Sequence, residues 1–513
     1  MKRIFWLLTV LMLNIQNVFA ATNGFDINRF MDDNLAPCLN GIAKIIFTPV
    51  PTFGIKGLEN IHVPFVIFWI LIAGIFFTIY FKGISIWGLK HAVEQLVKPK
   101  NSEDSGDVSS FQALATALSG TIGIGSIAGV ALSISVGGPG AAFWIFIGAL
   151  LGMSIKFAEA TLAIRYRKFN LDGSVSGGPM HYIAHGLTRK GMRWLGQPLS
   201  VIFAILCIAG GITGGNMIQI NQTAEQIVQI TGQQQSIFYG ATWVIGLIAA
   251  ILIGLVVVGG IKSIAKVTTI LTPSMCILYI LLGLIVIFFN FTAIPSAVVT
   301  IVKEAFSPQA IFGGSMFFVM VEGLKRSVQS NEAGTGAAAI VYAAAQSKEP
   351  ASQGFVALLE TFLTGILCVF TSLTIVLSGV LDKIPVGVGH DIKGISIASD
   401  AFASVHSSFP IVLSFIAALF ALSTLISWAY YGQKAWTFLF GEGRKRALFF
   451  NLLYCAFIVI GTCLSVEAVK NITDAMMIAM SIPNIITLYI LAPDIKNEMT
   501  DYCKRVFTNK TAK

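Results

Sequence analysis

The chain has 513 residues, 55% of them hydrophobic and 12% charged, and a mean hydropathy of +0.79. A globular domain of this length has a large polar shell to cover, so the composition excludes a water-soluble protein and indicates a polytopic membrane protein. The formal net charge of +9 falls mainly in short loops between apolar runs, which fits a sided membrane loop bias and gives no support to a nucleic-acid partner.

Residues 1–20 read as a secretory signal. Lys2 and Arg3 precede an apolar run over 4–13, and Val18 and Ala20 are small residues at positions suited to cleavage. The mature chain would then start near Ala21 with its N-terminus outside; left uncleaved, the segment would be an extra helix and residues 21–60 would still lie outside. A short mixed stretch at 30–48, ended by Pro49 and Pro51, reads as an interfacial helix. Apolar runs of about 20 residues then recur, each long enough to cross a bilayer as a helix. They lie at 62–82, 109–136, 141–164, 199–228, 236–259, 265–290, 295–324, 353–380, 407–433, 447–464 and 474–492.

That makes eleven expected spans. The basic residues sort to one side of this topology: Arg165, Arg167, Lys168, Arg189, Lys190 and Arg193 in one loop, Arg444, Lys445 and Arg446 in another, Lys504 and Arg505 in the tail. The rule that such loops stay inside puts the C-terminus in the cytoplasm.

Setting aside the first span, in segment 21–84, leaves five spans in 109–290 and five in 295–492, followed by a basic tail at 493–513. An odd number per half means that the second half enters from the opposite side, the arithmetic of an inverted repeat. The opening span of each half is unusual. The first carries Gly120, Gly123, Gly125 and Gly129 within "SGTIGIGSIAG", and the second carries Gly313 and Gly314 within "IFGGSM". Each glycine weakens a helix. Such clusters serve either as close-packing faces or as breaks, and their pairing across the halves favours breaks, which are the best sequence pointer to a transporter's binding site. Backbone freed at mid-membrane depth is tolerated only where it lines a cavity or holds a solute. Freed carbonyls suit sodium, and freed N–H groups at a half-helix N-terminus suit a carboxylate. A zwitterionic amino acid with a cation fits such a site.

At these residues the sequence resembles the alanine or glycine:cation symporter family, the sodium:alanine symporters. The resemblance rests on "ALSGTIGIGSIAGVA" (117–131), "GGPGAAFWIFIGALLGMSIKFAEATLAIRYR" (137–167), "GGPMHYI" (177–183), "GLKRSVQSNEAGTGAAA" (323–339) and "ALSTLISWAYYGQKA" (421–435), and runs from about residue 35 to 492. It implies an all-α leucine-transporter-like fold, one extra helix plus a 5+5 inverted repeat with two discontinuous helices. It also implies sodium-coupled uptake of a small neutral amino acid, alanine or glycine, with sodium as coupling ion and no other cofactor. The alternatives are another neutral amino acid such as glutamine, coupling to protons, or a channel. The lipid bilayer is the surrounding, a bacterial inner membrane the expected location, and no protein partner is implied.

By the same resemblance, the backbone from Thr121 through Gly123 and Gly125 to Ser126 would meet the substrate carboxylate. Gln219, in the polar stretch that starts at Asn216, would contact the ammonium group. Thr424 and Trp428, one helical turn apart, would border the substrate, and Gly313, Gly314 and Ser315 would contribute from the second break. Sodium would be held by the hydroxyls of Ser423 and Thr424 and the carbonyls of Ser119 and Ile122. The chain departs from the family's Gly-Thr-Gly-Asn at Ile124 and Ser126, which leaves the preferred amino acid open. His181 stands where an aromatic residue is usual, and Glu360 where aspartate is common.

The remaining charges have plain readings. Lys156 and Glu159, three apart on one helix face, suggest a snorkelling salt bridge near a membrane surface. Glu360, two turns into its helix, is either a permeation-path or proton-carrying group or a bonded structural carboxylate. "SNEAG" at 330–334 reads as cytoplasmic gate architecture, with Ser330 or Asn331 capping a short Ala-rich helix. His181 and His185 have zinc-like spacing without a third ligand. Neither a P-loop nor a Ser-His-Asp arrangement can be argued, so nucleotide-driven transport and enzyme chemistry have no sequence support.

Overall fold

A computed structural model describes residues 65–97, 105–170, 173–307, 316–383 and 394–511. The signal-like segment, the expected interfacial helix at 30–48, Cys38, Gly313, Gly314 and Ser315 lie outside the described residues. Helices dominate the rest, with a single two-stranded hairpin, Lys168–Phe169 against Val175–Ser176. Among the described residues six cysteines are free.

The chain begins with α1 (Phe65–Tyr80), turns by 74° and continues as α2 (Ile84–Val97). Lys82 and Gly83 make the turn with φ of +54° and +69°; at Gly83 the missing Cβ makes this cheap. The sequence had ended its first span here and had not marked α2 as a helix.

The first half follows. It comprises α3 (Ser110–Thr121), α4 (Ala128–Gly137), α5 (Ala141–Arg165), a short connecting α6 (Pro179–Arg189), α7 (Arg193–Ile212), α8 (Ile218–Ile230), α9 (Trp243–Val257) and α10 (Gly260–Phe289). The second half has α11 (Ile294–Ala305), α12 (Met316–Asn331), α13 (Ala339–Ala343), α14 (Pro350–Leu377), α15 (Gly394–Ala403), α16 (Phe409–Phe440), α17 (Arg444–Cys463) and α18 (Val466–Ile490), and α19 (Ala492–Thr511) closes the chain.

Seven of these stretches are long and apolar enough to cross a membrane: α5, α7 with α8, α10, α14, α16, α17 and the Ile472–Ile490 part of α18. Counting the bent pairs α1/α2 and α3/α4 as one span each brings the number to nine. The two other expected spans take different forms. The run at 236–259 contains only the 15-residue apolar α9, which starts at Trp243 because a turn rich in glutamine and glycine occupies the preceding residues. The run at 295–324 is divided between α11 and α12.

Packing separates core helices from rim helices. In the most apolar stretch of α14 67% of residues are buried, against 33% in α10, whose exposed Ile277, Leu281 and Phe288 belong in lipid. The second helices of the two halves, α5 and α14, lie against each other. α12 also approaches α5 closely: a methyl built on Gly148 would come within 2.7 Å of Ser327, and one on Gly152 within 2.9 Å of Ala333. Small residues at such crossings let helix backbones come together in lipid.

One end of the molecule is tied by polar bonds. Arg165 pairs with Glu498, Lys190 with Asp494 at 3.1 Å and Arg505 with Glu349 at 2.5 Å, fastening α19 across the helix ends. Arg167 donates to the carbonyls of Ser105 (2.9 Å), Ala343 (3.1 Å), Ala345 (2.7 Å) and Ser347 (2.7 Å). It thereby joins the chain just ahead of α3 to the chain just past α13.

Candidate functional site

α3 starts on a capping box, in which Ser109 accepts from the Gln112 N–H and the Gln112 side chain accepts from the Ser109 N–H. It stops at Thr121. Gly123 is extended, one 3₁₀ turn covers Ile124–Ser126, and α4 resumes at Ala128 after a bend of 66°. The break lies in the glycine cluster because the neighbours come too close for side chains. A methyl on Gly123 would stand 2.9 Å from both Gln219 Oε1 and Thr424 Oγ1. One freed donor is already used, since the Ile124 N–H donates to Gln219 Oε1 at 3.2 Å.

Gln219 itself is aimed by a second irregularity. Between α7 and α8 the helix widens into a π turn over Thr213–Met217, a device frequent at functional sites. The Gln219 amide donates to the Gly214 carbonyl at 3.2 Å. Gly215 faces Trp428 so closely that a Cβ there would overlap the indole.

A second interruption lies further along the chain than the expected one at Gly313 and Gly314, which is outside the described residues. α12 runs unbroken from Met316 to Asn331, and the chain then leaves the helix until Ala339. Glu332, Gly334 and Gly336 have φ of +53°, +91° and +79°. This is "SNEAGTG", placed by the sequence in the cytoplasm. Here Asn331, Glu332 and Thr335 are 2%, 4% and 2% exposed. Asn331 closes a helix instead of opening one, its Oδ1 accepting from the Ala333 N–H at 2.9 Å. Glu159 holds the break, with Oε1 accepting from the Gly334 N–H (3.0 Å) and from Asn484 (2.8 Å).

The Lys156–Glu159 bridge is therefore corrected. Lys156 pairs with Glu360 at 2.9 Å, and the second Glu360 oxygen accepts from the Tyr342 hydroxyl at 2.9 Å. Both charges are buried, not snorkelling. For Glu360 the geometry is that of a bonded structural carboxylate.

Both breaks and the π turn border a cavity of about 130 Å³, well below the roughly 300–1,000 Å³ of drug-sized ligand sites. Of the sequence-derived candidates, Thr121, Gly123, Gly125 and Gln219 line it. The Thr121 hydroxyl is turned back to its own helix, onto the Ala117 and Leu118 carbonyls at 3.2 and 3.3 Å. Ser126 and Asn216 face elsewhere. Ser126 is buried against α14, its carbonyl accepting from Thr371 at 3.2 Å, and Asn216 donates to the Tyr454 carbonyl at 2.8 Å. Neither lines the cavity, so a direct substrate contact for these two side chains does not follow from the geometry. Trp428 stands behind the π turn, edge-on to Tyr431 at 5.3 Å, with its indole reaching the Glu332 carboxylate.

Arg326 and Glu332 are among the cavity residues that the sequence reading did not name as site residues. Their signal was a charged pair inside "GLKRSVQSNEAG", whose "SNEAG" was read as cytoplasmic gate architecture.

The expected cation ligands come together between α3 and α16. The Ser119 carbonyl accepts from Thr424 at 3.0 Å and from Ser423 at 3.4 Å, while Ser119 Oγ donates to the Ser423 carbonyl at 2.7 Å. Both α16 hydroxyls also reach the Phe420 carbonyl, at 2.9 and 3.1 Å, a fourth oxygen the sequence did not single out. The Ile122 residue ends α3 nearby and is buried. A buried set of uncharged oxygens suits a hard monovalent cation that must also be released. Among the described residues no cluster of three or more His, Cys, Asp or Glu is placed to hold a metal. The His181 and His185 rings stack at 6.1 Å without a third ligand.

Comparison with known proteins gives the fold and the family. The crystal structure of MhsT in complex with L-phenylalanine matches at a TM-score of 0.50, covering 77% of this chain and 99% of that chain at 14% identity, which establishes a shared leucine-transporter-like fold. The sodium/alanine symporter AgcS of Methanococcus maripaludis is 37% identical over 440 residues, 85% of this chain and 93% of the relative. The amino-acid carrier protein AlsT of Bacillus subtilis is 32% identical over 458 residues, 88% and 92% of the two chains. Residues 52–513 match the pattern that defines the sodium:alanine symporters. With paired helix breaks, a small buried cavity and an oxygen cluster in a multi-pass helical membrane protein, the chain belongs to the sodium:alanine symporter family.

Proposed function

We propose that this protein takes up alanine or glycine together with sodium, by alternating access across a bacterial inner membrane, with its N-terminus outside and its C-terminus in the cytoplasm. One observation carries the coupling. The Thr424 hydroxyl bonds the Ser119 carbonyl in the cation cluster, and it also lies against Gly123 at the cavity wall. A cation at Ser119, Phe420, Ser423 and Thr424 would fix α3 to α16 and hold the first break in shape for the amino acid. The amino acid would in turn steady the cluster, and each would raise the other's affinity by the same factor. The modest cavity favours a small side chain, and the basic residues tied to α19 favour a cytoplasmic tail.

Uptake of radiolabelled alanine into proteoliposomes tests this. Accumulation is expected only with an inward sodium gradient. Concentration driven equally well without sodium, or mere equilibration, counts against it.

A further inference from the structure

Arg326 brings a positive charge to the cavity wall. Arg326 Nε donates to Ser330 Oγ at 3.0 Å, which directs the side chain along α12 toward the second break. Its terminal nitrogens have no hydrogen-bond partner among the described residues, and none of the ion pairs includes it. They lie instead against the first break. A methyl on Gly125 would come within 2.9 Å of the guanidinium, and one on Gly129 would overlap it. Gly129 stands in the first turn of α4, where the N–H groups carry partial positive charge.

Two positive features therefore face each other, brought close by two missing side chains, at the edge of the cavity. The guanidinium is only partly exposed and makes no ion pair among the described residues, so a further counter-charge at the cavity is favourable. An anion in the cavity, beside both the guanidinium and the first α4 N–H groups, satisfies both. A carboxylate fits best, because its two oxygens match the planar fork of the guanidinium.

We propose that Arg326 binds the α-carboxylate of the transported amino acid, together with the N-terminal turn of α4. This rests on the amino-acid reading above and deepens it, since a free carboxylate becomes a requirement for transport. The opposite end of the substrate then meets Gln219 and Glu332, whose Oε2 has no hydrogen-bond partner and which supplies the complementary negative charge. Nearby, Glu322 is 3.9 Å from Lys325, and Lys470 and Asp474 sit one turn apart on α18, also lining the cavity. Asp474 and Glu322 act on Arg326 through space, and neither forms an ion pair with it among the described residues.

The test compares alanine with alaninamide, which keeps the ammonium and methyl groups but has a neutral amide. In wild-type proteoliposomes alanine is expected to be much the better competitor of labelled alanine uptake. Arg326→Gln is expected to raise the KM for alanine by about 10- to 100-fold and to erase the discrimination between the two compounds. An unchanged KM, or an equal weakening of both compounds, overturns the proposal. If that variant cannot be purified, phenylglyoxal labelling of the wild type, read at Arg326 by mass spectrometry, decides the matter. Alanine with sodium should protect Arg326 and alaninamide should not; equal protection, or none, overturns it. Sodium-driven uptake by the wild type with an unaltered KM in Arg326→Gln removes this inference alone. Absence of sodium-driven uptake by the wild type removes the transport reading, and selective protection of Arg326 would still establish carboxylate binding.

Discussion

Thr424 carries more than one contact, and its removal should be read in more than one measurement. Thr424→Ala deletes a hydroxyl from the cation cluster while leaving the α16 backbone intact. The sodium concentration for half-maximal uptake is expected to rise on the order of tenfold, with a smaller rise in alanine KM through the shared wall at Gly123. A sodium dependence like that of the wild type would detach Thr424 from the cation. The buried Lys156–Glu360 pair makes a stability prediction. Lys156→Met leaves the Glu360 carboxylate with only Tyr342 as partner, a loss of about 3–5 kcal/mol. The double variant Lys156→Met with Glu360→Met removes the orphan and should recover much of that, read as thermal unfolding in detergent. At this scale the sequence was partly legible. Gly123, Gln219 and Thr424 stand where the motifs pointed. Arg326 and Glu332 did not show themselves, because a charge that lines a buried cavity looks in sequence like a charge in a loop.

Breaks in helices are the elements that define this site, and each has its own cause. The first follows the glycine cluster, because only glycine tolerates Gln219 and Thr424 at such short range. Gly123→Ala is expected to lower alanine uptake by about tenfold or more while the protein still elutes as a single folded species, since the new methyl meets the ends of two flexible side chains. Loss of folding with no transport phenotype of its own would assign that glycine to packing. A further break at 332–338 was not read from the sequence, while the one expected at 311–316 lies mostly outside the described residues. The break at 332–338 is held by tertiary bonds from Glu159 and Asn484 to Gly334, which no local pattern announces. Connecting elements matter as well. His181 on α6 packs edge-on to Phe438 with Nδ1 unbonded, and burial, aided by His185, Lys434 and Lys168, holds its pKa down to about 3. The unfolded chain takes up that proton near pH 6.5 and the folded one does not. Stability is therefore complete above about 6.5 and declines below it, by up to roughly 1.4 kcal/mol per pH unit. Thermal unfolding between pH 7 and 5 should show this decline, and His181→Phe should flatten it.

Over the whole molecule, the apolar runs and their order foretold the helix bundle well, since hydropathy alone decides which stretches lipid will accept. Lengths and bends followed less readily, as with the 15-residue α9 and the 74° turn after α1, because they depend on what each helix meets. The Arg167 bonds carry a consequence for how the molecule moves. One guanidinium holds four carbonyls, one from the chain just ahead of α3 and three from the end of α13 and the chain leading into α14. These contacts cannot lengthen one by one, since a rigid planar group leaves all of them together. Any parting of these segments would have to break the four bonds together, so a single side chain makes that end of the molecule resist small separations.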